Sequence, residues 1–422
     1  MGDSPQSVSG PGGAAPLAMS SVRRWSIVIL LFTASLINYL DCATVSIALP
    51  LISKDLHLGP ATEGVLLSAF FWSYALMQVP IGWCSDRLNL RWLYAGAFVL
   101  WSLAQGLTGL AAGLTALMLF RILLGVGESI YLPGGSKIVS LLFPLEERGL
   151  PSGLFDFGTR TGLLLEGILI PYLLVHYGWR KTFLVVGFLA LVWLIPWLAA
   201  TPPLMRAERA ALSPAGRRLE VTRVLKLLRS RNLLGICLGF FCFDYYWYLL
   251  VLWLPNYLVT VRGFTILKAG VFYALPFLVF GLCQPLGGWI ADRLVRAGFD
   301  KTRTRKGIVT FAFLTGLLLI PAARVESANA AVALIMGACL VGLSTGNLLV
   351  ILHGAAPPSD VGVWTGYENF FGNVAGILAP LITGYTVART GSYAPAFALS
   401  ALVLVAGLIA YWFIVGDLGR PE

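Results

Sequence analysis

The chain has 422 residues, 58% of them hydrophobic and only 12% charged, against about 45–50% and about 25% in ordinary soluble domains. This composition excludes a soluble enzyme and predicts a polytopic membrane protein, because so apolar a surface requires lipid as its solvent. The formal net charge of +10 would also suit a nucleic-acid binder, but the distribution of the charges along the chain argues against that function.

Residues 1–22 are rich in Gly, Pro and Ser and lack apolar periodicity, which predicts a disordered cytoplasmic tail. Nothing in this tail resembles a cleaved signal peptide. Twelve apolar runs follow, and about 20 apolar residues in a helix cross the hydrocarbon layer. The predicted spans lie near 25–50, 61–83, 92–112, 114–138, 149–174, 180–200, 232–259, 266–289, 307–321, 328–352, 361–387 and 393–415.

A long basic loop divides these spans six and six. The predicted organisation is a tail at 1–22, an N-terminal bundle at 23–200, a linker at 201–231, a C-terminal bundle at 232–415 and a tail at 416–422. With both termini in the cytoplasm, most of the 30 Lys and Arg fall on the cytoplasmic side, as the positive-inside rule requires. The positive charge is therefore explained by orientation and by anionic lipid headgroups rather than by nucleic acid.

A bacterial inner membrane fits this multi-pass plasma membrane protein best, because the sequence has no Asn-x-Ser/Thr acceptor and no organelle address. The six cysteines lie in or beside apolar runs without metal-like spacing, so we expect free packing thiols. No nucleophile–base or metal constellation is present in the sequence, and we expect no enzyme activity and no cofactor. We also expect a monomer.

A short motif occurs twice in the chain, 206 residues apart. Gln78-Val-Pro-Ile-Gly-Trp-Cys-Ser-Asp-Arg-Leu88 recurs as Gln284-Pro-Leu-Gly-Gly-Trp-Ile-Ala-Asp-Arg-Leu294, with six of the eleven positions identical. Both copies end the second span of a six-span half, so we predict two structural repeats. In each copy glycine allows close helix approach, while Asp and Arg can bond across a seam, as in a cytoplasmic gate. The gate residues are Gly82, Asp86, Arg87, Gly288, Asp292 and Arg293.

This G-x-x-x-D-R pattern resembles that of the major facilitator superfamily. Four further segments resemble the anion:cation symporter family within it, namely Asn38-Tyr-Leu-Asp41, Arg121-Ile-Leu-Leu-Gly-Val-Gly-Glu128, Trp253-Leu-Pro-Asn-Tyr257 and Asn369-Phe-Phe-Gly-Asn373. The resemblance covers nearly the whole chain. It implies the major facilitator fold, an all-α membrane protein with twelve transmembrane helices in two pseudo-symmetric six-helix bundles. It also implies an organic-anion transporter, since that family moves sugar acids, sialic acid, glutamate and phosphate.

Ionisable residues inside the spans are functional candidates, because a charge at mid-membrane costs at least about 2.5–3.5 kcal/mol. Arg121 and Glu128 are two helical turns apart and should face the same cavity. A fixed cation can anchor a substrate carboxylate, and a buried carboxyl can bind and release a proton. Asp41 has no basic residue within one turn and must find a partner on another span or be protonated. The resemblance implies proton coupling through Asp41 and Glu128, although a structural role for each remains open.

Cys42 departs from the family pattern, which has Arg after the aspartate and links that Arg to substrate binding or coupling. Arg160 is an unexpected cation in span 5, and Asp156 lies one turn before it in the orientation that favours pairing. The two form either a self-neutralised structural pair or an anion site that replaces the missing Arg. Glu166 is about 240° around the helix from Arg160, so we place it near the periplasmic vestibule without a role.

Four polar side chains match positions that contact substrate in the family. The resemblance implies substrate binding by Tyr39, Tyr74, Thr159 and Asn373, in addition to Arg121 and Arg160. The two tyrosines are equally consistent with packing or interfacial anchoring. Asp244 and Glu368 supply acids to the C-terminal half, either as titrating groups or as hydrogen-bonded helix contacts.

The sequence therefore predicts a carrier whose two bundles rock around a midplane site. The predicted function is proton-coupled symport of a small organic anion, namely a sugar acid such as an aldonate or hexuronate, or another carboxylate. Exchange or facilitated diffusion without net proton movement is the alternative that Cys42 makes plausible. A transporter-like ligand sensor is a third alternative, which the absence of an added cytoplasmic domain in this sequence disfavours.

Overall fold

The computed structural model describes residues 20–143, 147, 149–202, 229–357 and 361–417, which form helices and turns without a strand. The helices are α1 (Ser21–Leu56), α2 (Pro60–Arg87), α3 (Leu90–Thr108), α4 (Leu114–Leu142), α5 (149–177), α6 (179–200), α7 (Arg231–Thr260), α8 (Ile266–Arg296), α9 (Lys301–Arg324), α10 (Ala328–Ala355), α11 (Val361–Thr390) and α12 (Ala394–Ile414). Each of these twelve coincides with one predicted span. Residues 1–19, 203–228 and 418–422 of the predicted tails and linker lie outside the described residues.

Nine helices of the described chain are long and apolar enough to cross a membrane. One of them, Leu150–Ala200, contains both α5 and α6. Gly178 breaks it with φ 74° and ψ 166°, a backbone conformation that glycine adopts without steric cost. The predicted loop between the fifth and sixth spans is therefore a one-residue kink. The remaining two crossings are α2 and α3.

Side-chain caps start five of the helices. In each case an oxygen accepts a hydrogen bond from the backbone N–H three residues later, which satisfies one of the free donors of the first turn. The capping residues are Asn89, Ser230, Thr265, Asp300 and Ser327. The fourth span is helical in two pieces, Leu114–Glu128 and Tyr131–Leu142, so Glu128 ends the first of them.

Glycines allow the closest packing within each half. Gly162 on α5 lies against α1, where an added Cβ would be 2.6 Å from the main-chain oxygen of Leu36. In the C-terminal half, an added Cβ on Gly287 of α8 would overlap the main-chain oxygen of Leu343 at the adjoining turn of α10. Small residues stabilise helix association in lipid because they let backbones approach closely. All six cysteines are free, as predicted.

The two halves meet closely at one end of the molecule, which contains the α1–α2 and α7–α8 turns and is called the distal end here. An added Cβ on Gly64 of α2 would lie 2.5 Å from the main-chain oxygen of Pro380 on α11. An added Cβ on Gly167 of α5 would lie 2.9 Å from the main-chain oxygen of Gly270 on α8. The opposite end contains the α2–α3 and α8–α9 turns and both motif copies, and is called the motif end.

Candidate substrate and proton site

Arg121 lies in the middle of the first helical piece of α4, Leu114–Glu128, and is 1% exposed. Its Nη2 donates to the main-chain oxygen of Cys42 on α1 at 3.4 Å, and its guanidinium carbon lies 5.1 Å from the ring centre of Phe70 on α2. Its Nε and Nη1 are buried and have no hydrogen-bond partner among the described residues. Two nitrogens of a fixed cation are therefore free to bind an anion.

Three buried carboxyl groups interact electrostatically with Arg121: Asp41 on α1, Glu128 on α4 and Glu166 on α5. Neither oxygen of Glu166 has a hydrogen-bond partner in the described part of the chain, whereas Asp41 interacts with the side chain of Gln105 and Glu128 with that of Asn38. One guanidinium balances one carboxylate, and an unpaired buried charge is costly. Arg121 can therefore neutralise only one of the three carboxyl groups as a carboxylate.

Glu166 is fully buried in this conformation, next to the contact that Gly167 makes at the distal end. Arg160 and Glu166 face different neighbours, as their rotation around the helix predicts. Glu166 interacts with Asp41 and Arg121 of its own half and with Tyr273 on α8. The sequence could not indicate this position, because α8 comes more than 100 residues later and covers that face of α5 only in the fold.

Tyr39 and Tyr74 interact with both the buried acids and Arg160, directly or through each other. Both are half-buried. Tyr39 interacts electrostatically with Arg160 on α5, and Tyr74 interacts with Tyr39 and with Glu128. The two phenols therefore lie between the Arg121 cluster and Arg160, where their hydroxyls can bond a polyol.

Arg160 contacts the opposite half of the molecule. Its guanidinium carbon lies 5.5 Å from the ring centre of Trp247 on α7 and 5.9 Å from that of Phe280 on α8. It also interacts electrostatically with Asp244 on α7, and its Nε is buried with no hydrogen-bond partner within the described ranges. The ion pairs found among the described residues do not include Arg160 with Asp156. The pair expected within the helix is thus not formed in this conformation.

The exposure of Asp156 indicates the side on which the interior is open. It interacts electrostatically with Tyr39 and with the buried Tyr131, so its carboxyl faces the interior of the N-terminal half. The residue is nevertheless exposed, and it lies one helical turn nearer the motif end than Arg160. The space beside Arg160 is therefore open toward the motif end.

Thr159 and Asn373 are both buried, and each donates a hydrogen bond within its own helix. The Thr159 hydroxyl donates to the main-chain oxygen of Asp156 at 2.7 Å, and Asn373 Nδ2 donates to the main-chain oxygen of Asn369 at 2.8 Å. Their remaining oxygens can still accept hydrogen bonds from substrate hydroxyls.

The C-terminal half brings two acids together. Asp244 on α7 is 8% exposed and Glu368 on α11 is 5% exposed, and the two interact electrostatically. Glu368 Oε1 has no hydrogen-bond partner among the described residues. Asp244 therefore interacts with an acid of its own half and with Arg160 of the other half.

The two gate-motif glycines have different neighbours. A Cβ added to Gly82 or Gly288 would meet no atom of the described residues within 4 Å outside its own helix. Gly346 on α10 nevertheless approaches Gly288, because a Cβ added to Gly346 would lie 3.8 Å from the Gly288 Cα. In the C-terminal copy the close approach is therefore to a helix of the same half, while the halves meet at the distal end.

The polar gate residues bond within their own half. Asp292 accepts from Arg305 on α9 at 2.7 Å. Arg87 lies over Trp83 at 4.3 Å from the ring centre, and Arg293 lies over Trp289 at 5.5 Å. The side chain of Asp86 lies outside the described part of the structure.

A polar contact closes the distal end, and sequence reasoning missed it. Asn256 Nδ2 on α7 donates to Glu63 Oε2 on α2 at 3.0 Å, and it lies 3.1 Å from the hydroxyl of Tyr393. All three residues are buried, and Glu63 and Asn256 belong to different halves. Glu63 sits in the first turn of its helix, where an acid is ordinary, so its sequence position gave no signal.

Residues 31–380 match the profile of the Major Facilitator Superfamily. The chain belongs to the major facilitator superfamily. It is 33% identical to the "Probable galactarate/D-glucarate transporter" of Pseudomonas putida, over 94% of this chain and 93% of that protein. It is 30% identical to a "D-galactonate transporter" of Escherichia coli, over 94% and 97% of the two chains. It is 29% identical to a "Hexuronate transporter" of Bacillus subtilis, over 96% and 97%.

Solved structures agree on the fold. An inward-facing bacterial homologue of the human lysosomal transporter Spinster superposes with a TM-score of 0.80 at 17% identity, over 94% of this chain and 97% of that chain. A D-xylose-proton symporter gives 0.74 at 16% identity, over 94% and 99%. The predicted fold and the predicted membership of a transporter family rather than an enzyme family are confirmed.

Proposed function

We propose that the protein is a proton-coupled symporter of a sugar acid in a bacterial inner membrane, with the motif end and both termini in the cytoplasm. The relatives named above are transporters of galactarate, glucarate, galactonate and hexuronates. A sugar acid offers a carboxylate and several hydroxyls, which are the groups that a guanidinium and neighbouring phenols bind. The protein acts as a monomer, because the site lies between two halves of one chain.

One observation carries this proposal. Arg121 is a buried cation, two of whose nitrogens have no hydrogen-bond partner among the residues that the structure describes, and it interacts with more buried carboxyl groups than it can neutralise. The free nitrogens hold the substrate carboxylate, and Arg160 binds its other polar end. Asp41 and Glu128 carry protons, which remove local negative charge and so allow an anion to enter.

Alternating access follows from the contacts between the halves. The distal end is closed through Gly64, Gly167 and Asn256, while the interior beside Arg160 is open toward the motif end. In the opposite state the bundles rock, Gly82 and Gly288 approach the neighbouring half, and the distal contacts separate. Substrate and protons thus enter from the distal side and leave into the cytoplasm.

The first test is transport into proteoliposomes that contain an internal pH dye, challenged with aldarates, aldonates, hexuronates and simple monocarboxylates. We expect acidification with one class of sugar acid. Arg121→Ala should lower kcat/KM roughly 10- to 100-fold, because a hydrogen bond to a charged group contributes about 1.5–3 kcal/mol. Arg389→Ala is the matched control, since Arg389 is exposed near the distal end of α11.

Glu128→Gln tests proton coupling separately. The variant cannot release a proton, so it should lose proton-driven accumulation and retain exchange of labelled substrate for unlabelled substrate. Loss of both activities in a folded variant would contradict the assigned role.

A second function, anion exchange or facilitation, is favoured by Cys42, which replaces an Arg of the family pattern beside Arg121. It predicts that labelled substrate crosses without any acidification by the wild-type protein. Acidification that is stoichiometric with uptake would exclude it.

A further inference from the structure

Glu166 is the least expected member of the buried acid cluster. It is 0% exposed, and neither carboxyl oxygen has a hydrogen-bond partner within the described chain. A structural carboxylate at this depth would be hydrogen-bonded or paired, because leaving it charged and unpaired is costly. Burial without a hydrogen-bond partner therefore favours the neutral form of Glu166 in this conformation.

The groups that face Glu166 come from three other helices. They are Asp41 and Cys42 on α1, Arg121 on α4 and Tyr273 on α8. Tyr273 donates to the main-chain oxygen of Val251 at 3.3 Å and so does not supply its proton to Glu166. Arg121 is the single cation of this set, and it is shared with Asp41 and Glu128.

Glu166 also lies directly beside a contact that closes the distal end. The next residue, Gly167, is the point at which α5 meets α8: an added Cβ there would lie 2.9 Å from both the Gly270 oxygen and the Ala274 Cβ. Pro171, one turn further along α5, packs on Gly270 as well. When the distal end opens, α5 and α8 must separate here, which admits water to the neighbourhood of Glu166.

We propose that Glu166 is the carboxyl that exchanges protons with the distal side, and that α5 and α8 close over it only after it has bound a proton. With the distal end open, the Glu166 carboxylate takes a proton from water on that side. Closing then buries a neutral acid instead of a charge. This proposal rests on the proposed proton coupling and adds a third carboxyl to Asp41 and Glu128.

Closure of the distal end without substrate tests the proposal directly. Spin labels on the distal ends of α5 and α8 would report the closed fraction between pH 5 and pH 9. In the wild-type protein the closed fraction should fall as the pH rises, because ionised carboxyls resist burial. A plot of the logarithm of the closed-to-open ratio against pH should be less steep in Glu166→Gln, by about one unit per pH unit, because one proton fewer is bound on closing. The closed fraction of this variant at high pH should also be larger than that of the wild-type protein.

A second Glu166 variant and a control variant complete the experiment. Glu166→Met is also permanently neutral, has a similar volume and brings no amide to satisfy, so it should reproduce the effect if Gln folds poorly. Glu326→Gln is the matched control, because Glu326 is exposed in the α9–α10 turn and should leave the slope unchanged. A slope in both Glu166 variants equal to that of the wild-type protein would overturn the proposal.

Transport separates this proposal from the proposed function. If the wild-type protein acidifies the vesicles and Glu166→Gln does so with the same proton-to-substrate ratio, Glu166 is not a coupling site although symport stands. If the wild-type protein moves sugar acid without protons, symport fails. In that case a lost pH slope in the Glu166 variants would still support proton-linked closure.

Discussion

At the residue scale, the position of Arg160 changes the interpretation of the sequence. Its neighbours are Trp247, Phe280 and Asp244 in the other half, not the aspartate one turn before it. An arginine that stacks on aromatic rings keeps its charge and part of its donor set free for a ligand. Arg160 therefore fits an anion site between the halves better than a structural pair inside one helix.

Replacing Arg160 tests this interpretation. Arg160→Gln should raise the KM for sugar acids about 10-fold or more, because a charge-assisted hydrogen bond to the substrate is lost. Asp156→Asn is the control and should change KM less than threefold, since Asp156 forms no ion pair with Arg160 in the described structure. Uptake of labelled substrate at several concentrations measures the KM of each variant. Equal KM values for Arg160→Gln and the wild-type protein would make Arg160 a packing residue.

At the element scale, the contact between α2 and α11 depends on the absence of side-chain atoms. Gly64 and Gly384 lie where the two helices cross, and an added Cβ on either would meet backbone rather than a flexible side chain. Backbone cannot move aside without separating the helices. The closed distal end is therefore sensitive to a single methyl group.

Gly64→Ala should destabilise the distal-closed conformation by about 1–3 kcal/mol, the usual cost of overpacking. The variant should show greater labelling of cysteines introduced at the distal end, and reduced transport. Gly96→Ala on α3 is the matched control: no atom outside its own helix lies within 4 Å of the added Cβ, and alanine favours a helix. Labelling of Gly64→Ala at the wild-type level would show that α2 and α11 are not so tightly packed.

At the scale of the whole molecule, a polar contact between the two halves can shift the equilibrium between the distal-closed and distal-open states. The hydrogen bond from Asn256 to Glu63 is one such contact, and it is buried at the distal end. Removing one partner of a buried hydrogen bond costs about 1–3 kcal/mol, which corresponds to roughly a 5- to 150-fold change in a two-state equilibrium. This contact is therefore a distal latch.

Asn256→Leu should shift the population toward the distal-open state by roughly 10-fold or more, because the donor is removed and Glu63 is left unpaired. Glu63→Gln retains an acceptor oxygen for Asn256 and should shift it less. Distances between spin labels on α2 and α11 give the two populations. If both variants keep the wild-type distances, the latch does not control the distal end.

The sequence by itself determined the twelve helical segments and the family, and it named the charged residues of the candidate site. These properties depend on local information: apolar run length, the positions of Lys and Arg, and the spacing of Arg121 and Glu128 on one face of one helix. All twelve predicted spans have a helix in the structure, because lipid leaves a helix as the only way for a single segment to satisfy its backbone.

Tertiary structure alone decided which side chains meet across helices. Arg160 reaches the C-terminal half, Glu166 is enclosed beneath α8, and Glu63 bonds to Asn256, which lies 193 residues later in the chain. Helix rotation gives the direction of a side chain but not which helix lies there, since that depends on how two bundles pack and rock. The identity of the charged residues was therefore predictable, while their partners, and with them the distal gate, were not.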